Sequence, residues 1–403
     1  MDQTAPGSAA VTRFDLPRQR RLFEEALGAP FTDGNRIRRL RNGDEIFPAM
    51  LAAIERAEHS IELLTFVYWK GAIAVRFAEA LAERARAGVT VRVLLDAFGA
   101  APMNQALIRT MRAGGVDLRW FRPFRRWQIW RAQQRTHRKV LVADGCTGFT
   151  GGVGIASEWC GDARHEGEWR DTHFEVAGPA VRGLRAAFYA NWAEAMVEEG
   201  GSAGLHAALY RGEDHAERAG DTALQVVCSS AGGAWSQVAG MTELAIAMAE
   251  RSLRIGTAYF VPDEATTAAL VDAARRGVAV EIMLPWPHLD HRVSQLAGAK
   301  AIAPLLEAGV AVQVFQPSMY HAKIMLVDDS VAVVGSPNFN RRSAWQDEEV
   351  FLVCPDSTLV ATLAADWAED RARCRPIELR RWRRRGPWRR LKEAAAQLVR
   401  PMV

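Results

Sequence analysis

Cysteine is scarce in this 403-residue chain, with Cys146, Cys160, Cys228, Cys354 and Cys374 far apart, odd in number and without a C-x-x-C pair. That distribution excludes a disulfide framework and a thiolate zinc site, and it suits a reducing compartment. Long apolar runs are also missing. No uninterrupted apolar window of about 18 residues exists, so no transmembrane helix is expected. Met1 to Gly34 has no basic segment followed by an apolar run, so no signal peptide is expected either. Asp/Glu clusters at metal-ligand spacing do not accompany the motifs described next, so neither a metal nor another cofactor is expected. Disorder is excluded by a hydrophobic fraction of 49% against 24% charged residues, and the length allows two domains with sizeable cores.

What the chain does have is one pattern written twice. His137-Arg138-Lys139 with Asp144 is followed by Gly151-Gly152-Val153-Gly154, and His321-Ala322-Lys323 with Asp328 is followed by Gly335-Ser336-Pro337-Asn338. In both copies Lys stands two residues after His, Asp seven after, and the small-residue turn begins fourteen after. A single short motif of this kind is weak, but two copies with identical internal spacing are not chance. The surroundings repeat as well. A helical pattern over Asp44–Glu58 precedes a strand over Ser60–Trp69, a helix over Ala74–Ala87 that stops at Gly88, and a strand over Val89–Asp96. Met241–Arg251, Ser252–Phe260, Ala265–Arg276 stopping at Gly277, and Val278–Leu284 retrace that order. The rhythm is that of a duplicated α/β unit.

The expected organisation is a polar, loosely attached arm (1–34), a first domain (35–196), a linker (197–221), a second domain (222–370) and a basic Arg/Trp-rich tail (371–403). The net charge of +4 hides this tail: Arg371 to Lys392 carries +10, leaving the rest of the chain at −6. A negatively charged partner is therefore implied for the tail only. Arg clustered with Trp382 and Trp388 can adsorb to anionic lipid at about 1 kcal/mol per engaged basic residue. The first half carries ten extra residues before its histidine, a segment including Arg125, Arg126, Trp127, Trp130 and Arg131. That composition suits a lipid headgroup interface or a nucleic-acid strand, and equally an ordinary surface loop.

Positions i and i+2 of a strand point the same way, so each H-x-K offers an imidazole and an ammonium from one face. If the two halves pack symmetrically, two such couples surround one point, and the natural occupant is a phosphate. One His can attack phosphorus while the other protonates the leaving alcohol, and two Lys can neutralise the phosphoryl oxygens. His59, His165, His173, His206, His215, His288 and His291 lack the pattern and are read as solvent or packing residues.

At these motifs the chain resembles the phospholipase D superfamily, whose signature is H-x-K-x4-D twice with a downstream G-G/S-x-N. The stretches Gly43–Gly99 and Thr136–Pro179 look particularly like bacterial cardiolipin synthases without membrane-spanning helices, and the likeness covers roughly residues 35–370. The resemblance implies an α/β fold of two tandem phospholipase D-like α-β-α sandwich domains with one active site at their interface. It assigns the nucleophile to His137, the acid to His321, and phosphate binding to Lys139 and Lys323. It makes Asn338 an amide donor, places Ser336 and Gly152 in the phosphate-binding turns, and gives Asp171 and Glu349 the task of orienting the rings. Asp144 and Asp328 belong to the motif and are more plausibly structural than chemical. Two departures stand out: Gly154, where the family often has Asn, and Asp347, where Asn is common. The first leaves one side-chain amide donor instead of two, unless Ser157 or backbone N–H groups compensate. The implied activity is phosphatidyl transfer between phospholipids, with cardiolipin made from phosphatidylglycerol through a phosphohistidine. Hydrolysis of phospholipids, nuclease activity and a non-catalytic binding role are the alternatives. Implied partners are anionic phospholipids and a membrane surface, with no obligate protein partner and no nucleic acid. The implied location is peripheral, on the cytoplasmic face of the inner membrane.

Overall fold

The structure, a computed structural model, describes residues 16–123, 133–200, 217–233 and 235–398. The first half contributes β1 (Phe31–Arg41), β2 (Ser60–Thr65), β3 (Thr90–Asp96), β4 (Asp117–Phe121), β5 (Val140–Ala143), β6 (Thr147–Gly151) and β7 (Thr172–Ala177). The second contributes β8 (Thr222–Ser229), β9 (Ser252–Gly256), β10 (Phe260–Val261), β11 (Ala279–Leu284), β12 (Ala311–Phe315), β13 (Ile324–Val327), β14 (Val331–Gly335), β15 (Phe339–Asn340) and β16 (Glu349–Cys354). Read outward from the middle, one half runs β1-β7-β6-β5-β2-β3-β4 and the other β8-β16-β14-β13-β9-β11-β12. Parallel and antiparallel neighbours fall at the same places in both. The two runs meet where β1 pairs antiparallel with β8, so the duplicated domains share one continuous sheet.

Strand alternation builds three cores. Leu63 and Leu141 face a first-half core with α2 (Asn42–Arg56), α3 (Ala72–Arg86) and α4 (Gln105–Ala113), while Leu64, Val140 and Val142 face the opposite side. On that opposite side α5 (Val181–Glu198) and α10 (Ser357–Ala372) cover both halves together. Met325 and Val327 face a second-half core with α6 (Gln237–Met248), α7 (Glu264–Arg275), α8 (Arg292–Glu307) and the short α9 (Arg341–Trp345). β5 and β13 read V-L-V-A and I-M-L-V because both of their faces are buried. The predicted helix stops at Gly88 and Gly277 hold: each has φ above +90°, a conformation open to glycine at little steric cost.

Several expected boundaries shift. Leu16–Leu27 is not a loose arm but helix α1, with Phe23 and Leu27 buried in the second-half core. The arginines at 18, 20 and 21 masked an i, i+4 apolar pair that packs on α6. β1 crosses the proposed boundary at 35, its start pairing with β8 and its end with β7. The basic tail is likewise docked at its root. Strand β17 (Cys374–Pro376) adds antiparallel to β12, and helices α11 (Leu379–Arg383) and α12 (Pro387–Ala396) follow. The Arg/Trp segment at 124–132 and the linker core at 201–216 lie outside the described residues.

Candidate active site

Neither H-x-K lies within a strand. Each occupies an extended segment leading into β5 or β13, and each segment pairs with the other half of the chain. Thr136 bridges Glu348 in parallel register, with His137 N–H donating to Glu348 O at 2.8 Å. Tyr320 bridges Arg170 in the same way, with His321 N–H donating to Arg170 O at 2.7 Å. The next residue on each partner segment is a carboxylate. Glu349 Oε1 therefore stands 3.0 Å from His137 Nδ1, and Asp171 Oδ2 stands 2.7 Å from His321 Nδ1. Each half orients the ring of the other, which is how an internal duplication builds one site instead of two.

Both imidazoles are buried, as are Lys139, Lys323, Glu349 and Asp171. Burial pushes both rings down to about 4; Glu349 opposes this at His137, while Lys323 adds to it and Asp171 opposes it at His321. Burial also lowers Lys139 to about 8 and Lys323 to about 7, against the pull of the same two carboxylates. His137 feels the charge of Lys323, and His321 that of Lys139, so the two couples share one electrostatic centre. Burial would raise the carboxyls of Asp171 and Glu349, but the rings and lysines hold both below the usual range. A phosphodiester placed here meets two cations and lifts their pKa values by its own charge.

Supporting contacts explain the small-residue turns. The Ser336 hydroxyl donates to Glu349 Oε2 and accepts from Val350 N–H, so it steadies the ring-orienting acid. At the matching place in the first turn a Cβ on Gly152 would lie 2.2 Å from Asp171 Oδ1, so the bare α-carbon makes room for the other acid. Both residues thus serve the carboxylates. Asn338 has a buried side-chain oxygen with no hydrogen-bond partner among the described residues, and Asn338 and Lys323 line one cavity of about 30 Å³. That makes Asn338 available to a ligand. Asp144 and Asp328 sit at the far ends of β5 and β13 and take no part in the site. Each adopts φ of 51° and accepts three backbone N–H groups, from Glu58, His59 and Ser60 or from Glu250, Arg251 and Ser252.

The two departures have physical accounts. A Cβ at Gly154 would come within 2.6 Å of Val67 Cβ, so Val67 and Trp159 fill the space an asparagine would need. Ser157 does not compensate: it is exposed and bonds Glu158. Asp347 is buried against Arg342 Nε at 2.9 Å with its other oxygen unpartnered among the described residues, and burial pushes its carboxyl up to about 7. A protonated carboxyl at that position donates a hydrogen bond, as an asparagine amide would.

Sequence reasoning missed the aromatic walls. Trp159 and Trp169 flank the His321 ring at 5.2 and 5.4 Å, and Trp159 Nε1–H donates to Asp171 Oδ2 at 2.8 Å. Phe66 packs edge-on to His137 at 5.4 Å. His173, set aside as a solvent or packing residue, lies buried beside the site within reach of the Asp171 and Lys139 charges. Its spacing of two from Asp171 was the available signal. Arg138 was missed too. Its buried guanidinium donates to Asn191 Oδ1 and to the carbonyls of Ala187, Ser229 and Glu349, riveting the halves together.

Among the described residues no helix is long and apolar enough to cross a membrane. The family model described as "Cardiolipin synthase, PLD-like domain" matches residues 50–166 and 244–371. Cardiolipin synthase 1 of Bacillus cereus is 30% identical over 386 residues, covering 93% of this chain and 74% of that one. The cardiolipin synthase of Geobacillus kaustophilus is 32% identical over 406 residues, 99% of this chain and 79% of that one. Among solved structures, phosphatidylserine synthase of Haemophilus influenzae superposes with a TM-score of 0.68 at 16% identity, over 96% of this chain and 100% of that chain. That likeness concerns the fold.

Proposed function

This chain belongs to the phospholipase D-like cardiolipin synthase family, and we propose from that membership and the site's geometry that it joins two phosphatidylglycerol molecules into cardiolipin through a phosphohistidine. It is a phosphatidyltransferase. The observation that carries the reading is the exchanged pairing of His137 with Glu349 and His321 with Asp171 around Lys139 and Lys323.

With Nδ1 held by Glu349, the His137 ring directs Nε2 outward as a neutral nucleophile. Nε2 attacks phosphorus, the bond from phosphorus to the glycerol oxygen breaks, and His321, protonated beside the bound anion, gives its proton to that oxygen. Glycerol leaves. The hydroxyl of a second phosphatidylglycerol then surrenders its proton to His321 and attacks phosphorus, forming cardiolipin and freeing His137. Lys139 and Lys323 stabilise the equatorial oxygens in both steps, with Asn338 as the side-chain amide donor. Ring orientation by a buried carboxylate follows the logic of nucleophile-base-acid triads.

The enzyme acts as a peripheral protein on the cytoplasmic face of the membrane, with anionic phospholipid as substrate and surface; the positive tail on a negative body supports this reading. No partner chain is required, because both histidines and both orienting acids come from one polypeptide. The test is incubation of the purified chain with phosphatidylglycerol labelled in its headgroup. Equal amounts of cardiolipin and free glycerol are expected. Phosphatidic acid as the main product would assign hydrolysis instead, and no turnover would remove the catalytic reading.

A further inference from the structure

We propose that helix α12 is an interfacial anchor that lays one face into an anionic bilayer and holds the edge of the active site against it. This rests on the phospholipid-directed reading above but concerns a part of the chain that takes no share in the chemistry. The helix has two unlike faces. On one, Glu393 pairs with Arg385 at 2.8 Å and with Arg389 at 3.4 Å, Ala396 packs with Val261 and Ala297, and Gln397 donates to Ala297 O at 3.0 Å. Trp382, buried just before it, stacks on Trp286 at 5.5 Å and carries the Arg385 guanidinium 3.4 Å from its ring centroid. The helix is therefore fixed to the body and not a free tail.

Among the described residues the other face has no such cover. Trp388, Leu391 and Leu398 are 77%, 60% and 85% exposed, and Ala394 and Ala395 are exposed between them. Spacings of three and seven put the large residues on one stripe. Arg390 and Lys392 border the stripe on the helix, and Arg380, Arg381 and Arg384 are exposed just before it. A tryptophan and leucines flanked by arginine and lysine match an interface with acyl chains below and phosphates at the rim. Charge selects the anionic bilayer as occupant. The body carries −6 and is repelled by such a surface, while Arg371 to Lys392 carries +10. Position links the anchor to function: Ala396 packs on Val261 of β10, which pairs with Phe339–Asn340 directly after Asn338.

The full chain and a Trp388→Ala/Leu391→Ser double variant would be sedimented with vesicles of phosphatidylglycerol and, separately, of phosphatidylcholine. We expect the parent to bind the anionic vesicles only, and the variant to bind them about tenfold or more weakly. Cardiolipin formation on vesicles should fall in parallel, while turnover of a short-chain phosphatidylglycerol kept monomeric in solution stays unchanged. Equal vesicle binding by the double variant would overturn the proposal, as would failure of the parent to bind or an equal loss on the monomeric substrate. Vesicle binding by a parent that makes no cardiolipin would leave the anchor standing and remove the assigned reaction.

Discussion

Glu349 and His137 are separated by more than two hundred residues, yet their side chains meet at 3.0 Å with the carboxylate wholly buried. The contact is set by backbone pairing of Thr136 with Glu348, and its counterpart joins Asp171 to His321 through Arg170 and Tyr320. Replacing Glu349 by Gln keeps the volume but removes the charge that selects the ring's tautomer and balances its developing positive charge. We expect kcat to fall by about two to four orders of magnitude with thermal unfolding little changed. Asp171→Asn should behave alike. A loss of under threefold in steady-state transfer would show that the acids only fill space.

The pH profile follows from the depressed lysines and imidazoles. Lys323 and Lys139 have pKa values lowered to about 7 and about 8, so their cationic forms disappear as pH rises through those values. The imidazoles, lowered to about 4, gain protons only below that pH. His321 must carry the acid's proton while His137 stays neutral. For the free enzyme, kcat/KM should therefore peak at about pH 4, fall about tenfold per pH unit above it, and fall more steeply above about pH 7 as Lys323 loses its charge. Bound phosphodiester favours the ammonium, so kcat should hold to higher pH. In Lys323→Arg the steepening above about pH 7 should vanish, whatever the absolute rate. A variant profile superimposable on the parent's would assign the limb to another group.

Much of this was legible in the chain, for reasons particular residues make plain. The duplication was visible because catalytic geometry fixes the His, Lys and turn spacings and α/β packing fixes Gly88 and Gly277. The orienting acids were identified by family resemblance. What the sequence could not show was their exchange between halves, because parallel bridges at Thr136 and Tyr320 depend on tertiary pairing. Trp159, Trp169 and Phe66 were hidden for a related reason: an aromatic beside a strand reads as core until its neighbour is known. The helix within the N-terminal arm was hidden because arginine outweighs Phe23 and Leu27 in its composition window.

The motif aspartates should separate stability from chemistry. Asp144 and Asp328 each gather three backbone N–H groups at the start of β2 or β9, from a residue with positive φ. Alanine at either place strands those donors and adds backbone strain. Denaturant unfolding should show a loss of about 2–4 kcal/mol, while kcat at low temperature stays within about threefold of the parent. A large fall in kcat without destabilisation would put the aspartate in the chemistry.

Gly154 offers the sharpest test of why this site has one asparagine instead of two. Restoring the amide by Gly154→Asn alone drives a Cβ to within 2.6 Å of Val67 Cβ and 3.2 Å of the Trp159 ring. Overpacking of that kind costs about 1–3 kcal/mol, so the single variant should be less stable and no faster. Val67→Gly removes the clashing Cβ together with its methyls, and alone leaves a cavity. The double variant Gly154→Asn/Val67→Gly should recover stability relative to the additive expectation, because the two sites touch. It should also lower KM for phosphatidylglycerol, since a second amide then meets the phosphate beside Asn338. Strict additivity in unfolding free energy would mean that Val67 does not exclude the asparagine.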